Sequence, residues 1–284
     1  MLPLRSLLFV PASRPDRFAK ALAAGADLVC ADLEDAVAPA DKPAARDAAL
    51  AFLREAAGRP GRAVRINGLR SPEGIADLAA LAALGPGAGA GALLLPKAEH
   101  AEEIAILDSV LTAAGSALAL IPLIESARGI RNAARIAAAS PRVAALFLGG
   151  VDLAAELGVA PDATGLAAAR GLLVLAARGA GVGLIDVPSL DLRDPDSAGR
   201  EALAARRLGF TAKAVLHPAQ VAAVNAAFTP TEAEVAEALR YERAFAEAKG
   251  GVATLDGKLV EKPVVARMRQ VLAAARAAGL PVPD

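Results

Sequence analysis

Residues 119–130 read A-L-I-P-L-I-E-S-A-R-G-I, and residues 143–158 read V-A-A-L-F-L-G-G-V-D-L-A-A-E-L-G. Each apolar run ends close to a carboxylate, Glu125 in one and Asp152 in the other. The two acids are 27 positions apart (152 − 125), about the length of one strand-plus-helix crossover. Such a unit lays two parallel strands side by side with both acids at carboxyl ends, the edge where α/β sheets and barrels bind ligands. Two neighbouring carboxylates repel unless a cation sits between them. A hard divalent ion with oxygen ligands, most simply Mg2+, meets that need and leaves positions for water and substrate. The competing reading makes each acid a helix cap, Glu125 ahead of S-A-R-G and Asp152 ahead of L-A-A-E.

Outward from this unit the same grammar repeats. Short apolar runs read as strands at 5–11, 28–33, 63–67, 92–96, 117–124, 144–148, 184–187 and 212–216. Amphipathic, Ala-rich stretches separate them, at 43–57, 71–84, 101–114, 126–139, 164–178 and 195–208. Ser, Thr or Pro opens several of these, and Gly58, Gly85, Gly115, Gly179 and Gly209 stand where helices should end. Eight β/α units over residues 1–228 predict an α/β fold, a (β/α)8 TIM barrel; the alternative is an open doubly wound sheet. No G-x-G-x-x-G follows the first strand to support a dinucleotide fold. Residues 229–284 form an extension: a helix at 231–249, a break at Gly250–Gly251, an extended piece at 252–259 with a turn at Asp256–Gly257, and a helix at 263–278. It can act as a lid, pack on a neighbouring subunit, or fold back on its own barrel.

Composition narrows the function classes. Of 284 residues, 55% are hydrophobic but only 3% aromatic, so Ala, Leu, Val and Ile must build the core. Lys plus Arg and Asp plus Glu each total 31, which argues against a general nucleic-acid surface. The single cysteine, Cys30, excludes an internal disulfide and reads as a small core residue. The N-terminal apolar run is too short for a signal peptide or membrane span, so a soluble, cytoplasmic protein is expected.

If the barrel holds, strand ends carry the chemistry. After strand one, Ser13 can cap a helix that bears Arg14, Arg17 and Lys20, a cationic anion-binding end or simply a solvated face. Strand two ends in three acids, Asp32, Glu34 and Asp35, and alternation puts the first two on one face and Asp35 on the other. Arg65 lies within an apolar strand, to pair with a carboxylate such as Glu34 or to grip an anionic substrate with its planar fork. Lys97 can contact phosphate or carboxylate, or form a Schiff base. His217 reads as a general base or, more simply, as a histidine bonded to backbone. Backbone N–H groups after the Gly149–Gly150 turn, with Val151 and Asp152, suit a substrate carboxylate. Several carboxylates, one strand-borne arginine and no Ser–His–Asp grouping fit metal-assisted C–C cleavage of an oxygen-rich acid.

Eight segments in order also resemble the citrate lyase beta-subunit family, within the Mg2+-dependent acyl-CoA lyases and 2-keto-acid aldolases. They are R-S-L-L-F-V-P-A (5–12), D-L-E-D-A-V (32–37), V-R-I-N (64–67), L-L-L-P-K (93–97), P-L-I-E-S-A-R-G (122–129), L-F-L-G-G-V-D-L (146–153), L-H-P-A-Q (216–220) and D-G-K-L-V-E-K-P (256–263). The resemblance implies Mg2+ held by Glu125 and Asp152, substrate oxygens on Arg65, and support from Glu34 and Asp35. It implies cleavage of a 3-hydroxyacyl thioester such as citryl-CoA into acetyl-CoA and a 2-oxo acid such as oxaloacetate. The thioester carrier would pass Ser13, Arg14, Lys20 and Lys97. Trimers or hexamers are implied, and so, in citrate lyase itself, are alpha and acyl-carrier subunits. An acid in the C-terminal segment transfers a proton in relatives; the matching residue is Glu261, where Asp is expected, and Asp256 lies close by. Malyl- or citramalyl-CoA cleavage, thioester hydrolysis, a subunit inert alone, and a Schiff-base aldolase on Lys97 or Lys213 are the rival readings.

Overall fold

The computed structural model describes residues 4–55, 58, 61–248 and 251–283. Eight strands, β1 (Ser6–Pro11), β2 (Leu28–Asp32), β3 (Gly61–Arg65), β4 (Ala92–Leu95), β5 (Ala119–Ile124), β6 (Ala145–Leu148), β7 (Gly183–Asp186) and β8 (Ala212–Val215), close into a barrel in sequence order. Every neighbouring pair is parallel, including β8 with β1, so the (β/α)8 barrel stands and the open sheet does not. Strands covered by helices outside and side chains inside must be apolar on both faces, which is why the runs were continuous rather than alternating. Inside, small residues (Ala63, Ala92, Ala145, Ala212, Ala214) sit among large ones (Leu7, Leu28, Leu94, Ile121, Leu123, Phe147), and Cys30 is one of them. No aromatic-rich core is needed because the barrel's taper is filled by branched aliphatics.

The strand ends differ from the sequence reading by one or two residues. Asn67 leaves the ladder because its N–H bonds Asp77 Oδ2 at 2.9 Å, not a neighbouring strand. Gly179 does not end a helix: Ala167–Ala180 runs past it, and Gly181, at φ 70°, supplies the left-handed cap. Residues 56 and 57, at the end of the expected 43–57 helix, lie outside the described residues; the helix runs Lys42–Arg54.

A second compact unit begins at Ala226, the first ending at Asn225. It holds helices Glu232–Glu247 and Lys262–Ala277 and a hairpin of β9 (Ala253–Leu255) and β10 (Lys258–Val260). Its own core includes Val235, Tyr241, Val260, Met268 and Leu272. Asp256 and Gly257 turn the hairpin with φ of 51° and 74°, the two positive values that a tight two-residue turn demands. Lys249 and Gly250 of the expected helix end and break lie outside the described residues. Among the described residues no helix is long and apolar enough to cross a membrane.

Candidate active site at the barrel mouth

The register places Asp32 of β2 beside Arg65 of β3. Both side chains point inward, by the same alternation that buries Cys30 and Ala63 two residues earlier. Arg65 Nε donates to Asp32 Oδ1 at 2.7 Å and Nη2 to Oδ2 at 2.6 Å, a fork-to-fork pair. Nη1 lies 3.0 Å from Glu34 Oε2, and the guanidinium carbon sits 5.0 Å above the Phe9 ring. Arg65 therefore pairs with a carboxylate, but its main partner is Asp32, with Glu34 second. Two of its five N–H groups are hydrogen-bonded, both to Asp32, and the contact with Glu34 is an ion pair. Glu34 is buried in the mouth, whereas Asp35 is exposed at its rim. Lys97 Nζ donates to Glu34 Oε1 at 2.8 Å, and this hydrogen bond raises the lysine's pKa. Burial pushes the Glu34 carboxyl up, against the pull of Arg65 and Lys97.

Lys97 has a left-handed backbone, φ 54°, which is unusual for a residue with a side chain. That conformation aims its N–H at Glu125 Oε1, 2.6 Å away. Glu125 is not a helix cap: Ser126 is, accepting from Gly129 N at 3.1 Å. Asp152 is not one either. Gly149 caps the helix Gly150–Leu157, and Asp152 lies exposed in its first turn. Glu125 is 6% exposed, and burial, with the charges of Glu34 and Asp152 nearby, pushes its carboxyl up to about 8. This is a carboxylate site short of positive charge. Among the described residues no group of three or more His, Cys, Asp or Glu is placed to hold a metal. Oxygen donors such as Glu125 and Asp152 suit a hard ion like Mg2+ better than a closed zinc site. Gly149 is required here: a Cβ on it would lie 2.3 Å from Glu125 Oε2. Gly149→Ala should therefore displace the carboxylate and weaken Mg2+ binding by roughly tenfold or more, as loss of ligand orientation does; calorimetric titration with unchanged affinity would contradict this placement.

A cavity of about 310 Å³ adjoins the carboxylates, lined by Glu34, Asp35, Lys42, Asn67, Arg70 and Lys97. A larger one, about 450 Å³, lies between outer helices; neither is lined by Arg65, Glu125 or Asp152, but the smaller one is lined by Glu34 and Lys97, the partners of Arg65 and Glu125, and is the better candidate for substrate. Lys42 and Asn67 escaped the sequence reading; Lys42 Nζ donates to the carbonyls of Leu33 at 2.8 Å and Glu34 at 3.1 Å, pinning the acidic loop. A lysine ten residues past a strand carries no local signal of that role.

Other expected residues fall elsewhere. Ser13 caps no helix, because the helical segment after β1, a 3-10 turn Pro15–Arg17 that runs into a helix Phe18–Leu22, puts Arg14 at its cap position. Arg14 is exposed and already paired with Asp16, at 2.9 and 2.7 Å, and Lys20 is exposed. Val151 is 52% exposed beside Asp152, and Gly150 packs on Val187. His217 is exposed and its Nδ1 accepts from Ala219 N at 3.2 Å, the backbone-bonded alternative. Lys213 is fully buried and points outward from the barrel, ion-paired to Asp186 at 3.0 Å. Glu261, in the second unit, caps the helix Lys262–Ala277 without a side-chain bond, while Asp256 pairs with Arg240.

The chain has relatives along almost its whole length. It is 39% identical over 281 residues to a (3S)-malyl-CoA thioesterase of Cereibacter sphaeroides, covering 97% of this chain and 95% of that one. It is 34% identical to the citrate lyase subunit beta of Leuconostoc mesenteroides, covering 96% and 93%. The structure of CitE from Mycobacterium tuberculosis, in complex with magnesium, acetoacetate and coenzyme A, superposes with a TM-score of 0.78 at 36% identity, covering 96% of this chain and 100% of that one. The family model of HpcH/HpaI aldolase/citrate lyase matches residues 5–218, from the start of β1 to the turn after β8. The barrel, its mouth carboxylates and these matches together make this chain a member of the HpcH/HpaI aldolase/citrate lyase family.

Proposed function

We propose that the protein is a Mg2+-dependent carbon–carbon lyase that cleaves a 3-hydroxyacyl thioester, citryl-CoA-like, into acetyl-CoA and a 2-oxo acid such as oxaloacetate. The observation that carries this reading is the buried Glu125, short of positive charge, beside the Asp32–Arg65–Glu34 group. CitE of M. tuberculosis is described with magnesium, acetoacetate and coenzyme A, which supports both the metal and the substrate class. Glu125 and Asp152 would hold Mg2+, which when bound polarises the hydroxyl and carboxylate oxygens of the substrate. Arg65, fixed by Asp32, offers its remaining N–H groups to the oxygen that gains charge as the C–C bond breaks. Glu34 supports that arginine and Lys97, and Asp35 adds negative charge near Lys97. The N–H groups of Gly150 and Val151 receive a substrate carboxylate. Ser13, Arg14, Lys20 and Lys97 line the route of the CoA. A base takes the substrate's hydroxyl proton as the C–C bond breaks, leaving the 2-oxo acid, and Glu261 of a neighbouring copy protonates the acetyl-thioester enolate, with residues 229–284 covering a neighbour's site in a trimer or hexamer. The protein is cytoplasmic in this reading.

A Schiff-base aldolase recedes. A Schiff base needs a neutral amine, whereas Lys97 is held protonated by Glu34 and Lys213 is fully buried among carboxylates. A subunit inert alone, requiring citrate lyase alpha and acyl-carrier partners, predicts no activity on CoA thioesters. Thioester hydrolysis remains a second reading, favoured by the relative named (3S)-malyl-CoA thioesterase. The test is a panel of citryl-, malyl- and citramalyl-CoA with and without Mg2+: Mg2+-dependent consumption of one of them supports the proposal, and consumption unaffected by EDTA overturns it.

Proton linkage gives a further check. With its carboxyl at about 8, Glu125 is protonated at neutral pH in metal-free protein, and bound Mg2+ must displace that proton. Mg2+ affinity should therefore rise with pH and level off above about 8. Close to one proton should be released per ion at pH 7, read by calorimetry in buffers of different ionisation enthalpy. The sign for folding is the opposite. The folded protein holds this proton more tightly than the unfolded chain, so Glu125's contribution is full below 4.5 and is lost as pH rises to about 8.

A further inference from the structure

Behind β7 and β8, on the face of the sheet away from the barrel interior, lies an ion cluster that the reaction does not use. Lys213 is completely buried, and its Nζ meets Asp186 Oδ2 at 3.0 Å, Glu201 Oε2 at 2.9 Å and the carbonyl of Val187 at 2.7 Å. Arg170 Nη2 lies 2.8 Å from Asp186 Oδ1, an ion contact without aligned hydrogen-bond geometry, and Arg170 Nε has no hydrogen-bond partner among the described residues. Glu201 in turn accepts from Ser189 Oγ at 3.0 Å, and Gln220 Nε2 reaches the carbonyl of Ser189 at 3.3 Å. A buried cluster of this kind is poor evidence for stability, since a well-packed apolar set often serves the fold as well or better. What it does is fix a segment: residues 187–189 are tied down at a main-chain carbonyl at each end.

That segment backs the metal-binding turn. Gly150 packs so closely on Val187 that a Cβ on it would lie 2.4 Å from Val187 Cγ1 and 3.0 Å from Leu166 Cδ1. Gly150 is the first residue of the helix that carries Asp152 in its first turn, and Gly149 before it presses on Glu125. A chain of direct contacts thus runs from Lys213 through Val187 to Gly150 and so to both carboxylates. We propose that Lys213 is a positioning residue for the Mg2+ site, holding Val187 as the back wall against which the Gly149–Gly150 turn sets the geometry of Glu125 and Asp152. The inference rests on the Mg2+ reading given above. It assigns Lys213 a role that needs its three-way ammonium geometry and its reach to the Val187 carbonyl, not its nucleophilicity.

The experiment is Mg2+ titration by calorimetry of the full chain and three variants, each checked by circular dichroism. Lys213→Met fills the same space without the ammonium and should bind Mg2+ at least tenfold more weakly. Val187→Ala leaves the ion cluster intact, loosens only the wall behind Gly150, and should weaken Mg2+ at least threefold. Leu111→Ala, a buried truncation in the helix after β4, lowers stability without touching this chain of contacts and should leave the affinity unchanged. Should Lys213→Met fail to fold, Val187→Ala against Leu111→Ala decides. Val187→Ala with wild-type affinity, or Leu111→Ala weakened just as much, overturns the positioning role and leaves the metal reading standing. Wild-type protein that binds no Mg2+ overturns both.

Discussion

Glu125→Gln should bind Mg2+ at least ~100-fold more weakly than wild type and lose nearly all metal-dependent turnover, with the loss set by ligand charge rather than shape. The substitution keeps the length of the side chain and an acceptor for the Lys97 N–H, which lies 2.6 Å from Glu125 Oε1. What it removes is the negative charge. It also removes the carboxyl that burial, with the charges of Glu34 and Asp152 nearby, lifts to about 8, so metal-free Glu125→Gln protein should not share the wild-type loss of stability between pH 4.5 and about 8. The paired result, weaker metal and a flatter stability profile, separates a ligand from a residue that merely shapes the pocket. Calorimetry gives the first and urea unfolding across pH the second. Unchanged Mg2+ affinity in a folded variant would remove Glu125 from the ligand set.

Arg65→Ala should lower kcat/KM by at least ~100-fold, the scale on which a single oxyanion donor acts. A second consequence follows from its partners. Asp32 and Glu34 have side-chain exposures of 3% and 6%, and both lean on this guanidinium. Removing one partner of a buried pair costs about 3–5 kcal/mol, so the alanine variant should also unfold at lower denaturant. Arg65→Lys tells the two effects apart. It keeps a charge near Asp32 and so recovers stability, but cannot reproduce the fork, and turnover should stay low. A lysine variant with near wild-type turnover would show that only the charge matters.

How much of this could be read beforehand follows from distance along the chain. Strand ends, the inward face of Asp32 and Arg65, and the Glu125–Asp152 spacing are local or periodic features; Glu34 and Asp35 lie past the end of β2, in a bend and turn where alternation no longer applies. The pairings were not local. Arg65 reaches Asp32 33 residues away and Lys97 reaches Glu34 63 residues away, contacts that exist only once the barrel closes. The charge in both motifs points Arg65 to Glu34, whereas Asp32, the partner of its fork, stands in the sequence as one acid among three. Ser13 is no cap because the helical segment starts at Pro15, which puts Arg14 in the cap position. Lys97's left-handed backbone had no sequence signature, since such a conformation is usually announced by Gly or Asn. Lys213 read as a candidate nucleophile because a lysine in a strand is unexpected; only the structure shows its ammonium surrounded by acceptors.

The central claim is bond cleavage between carbons with the thioester left intact. The most direct measurement is product stoichiometry from the thioester that the protein consumes: acetyl-CoA, 2-oxo acid and free CoA thiol, quantified together by mass with and without Mg2+. Equal amounts of acetyl-CoA and 2-oxo acid, both requiring Mg2+, with no free thiol, is the expected result. Free CoA with the intact hydroxy acid, and no 2-oxo acid, would contradict the lyase and establish a thioesterase on the same barrel.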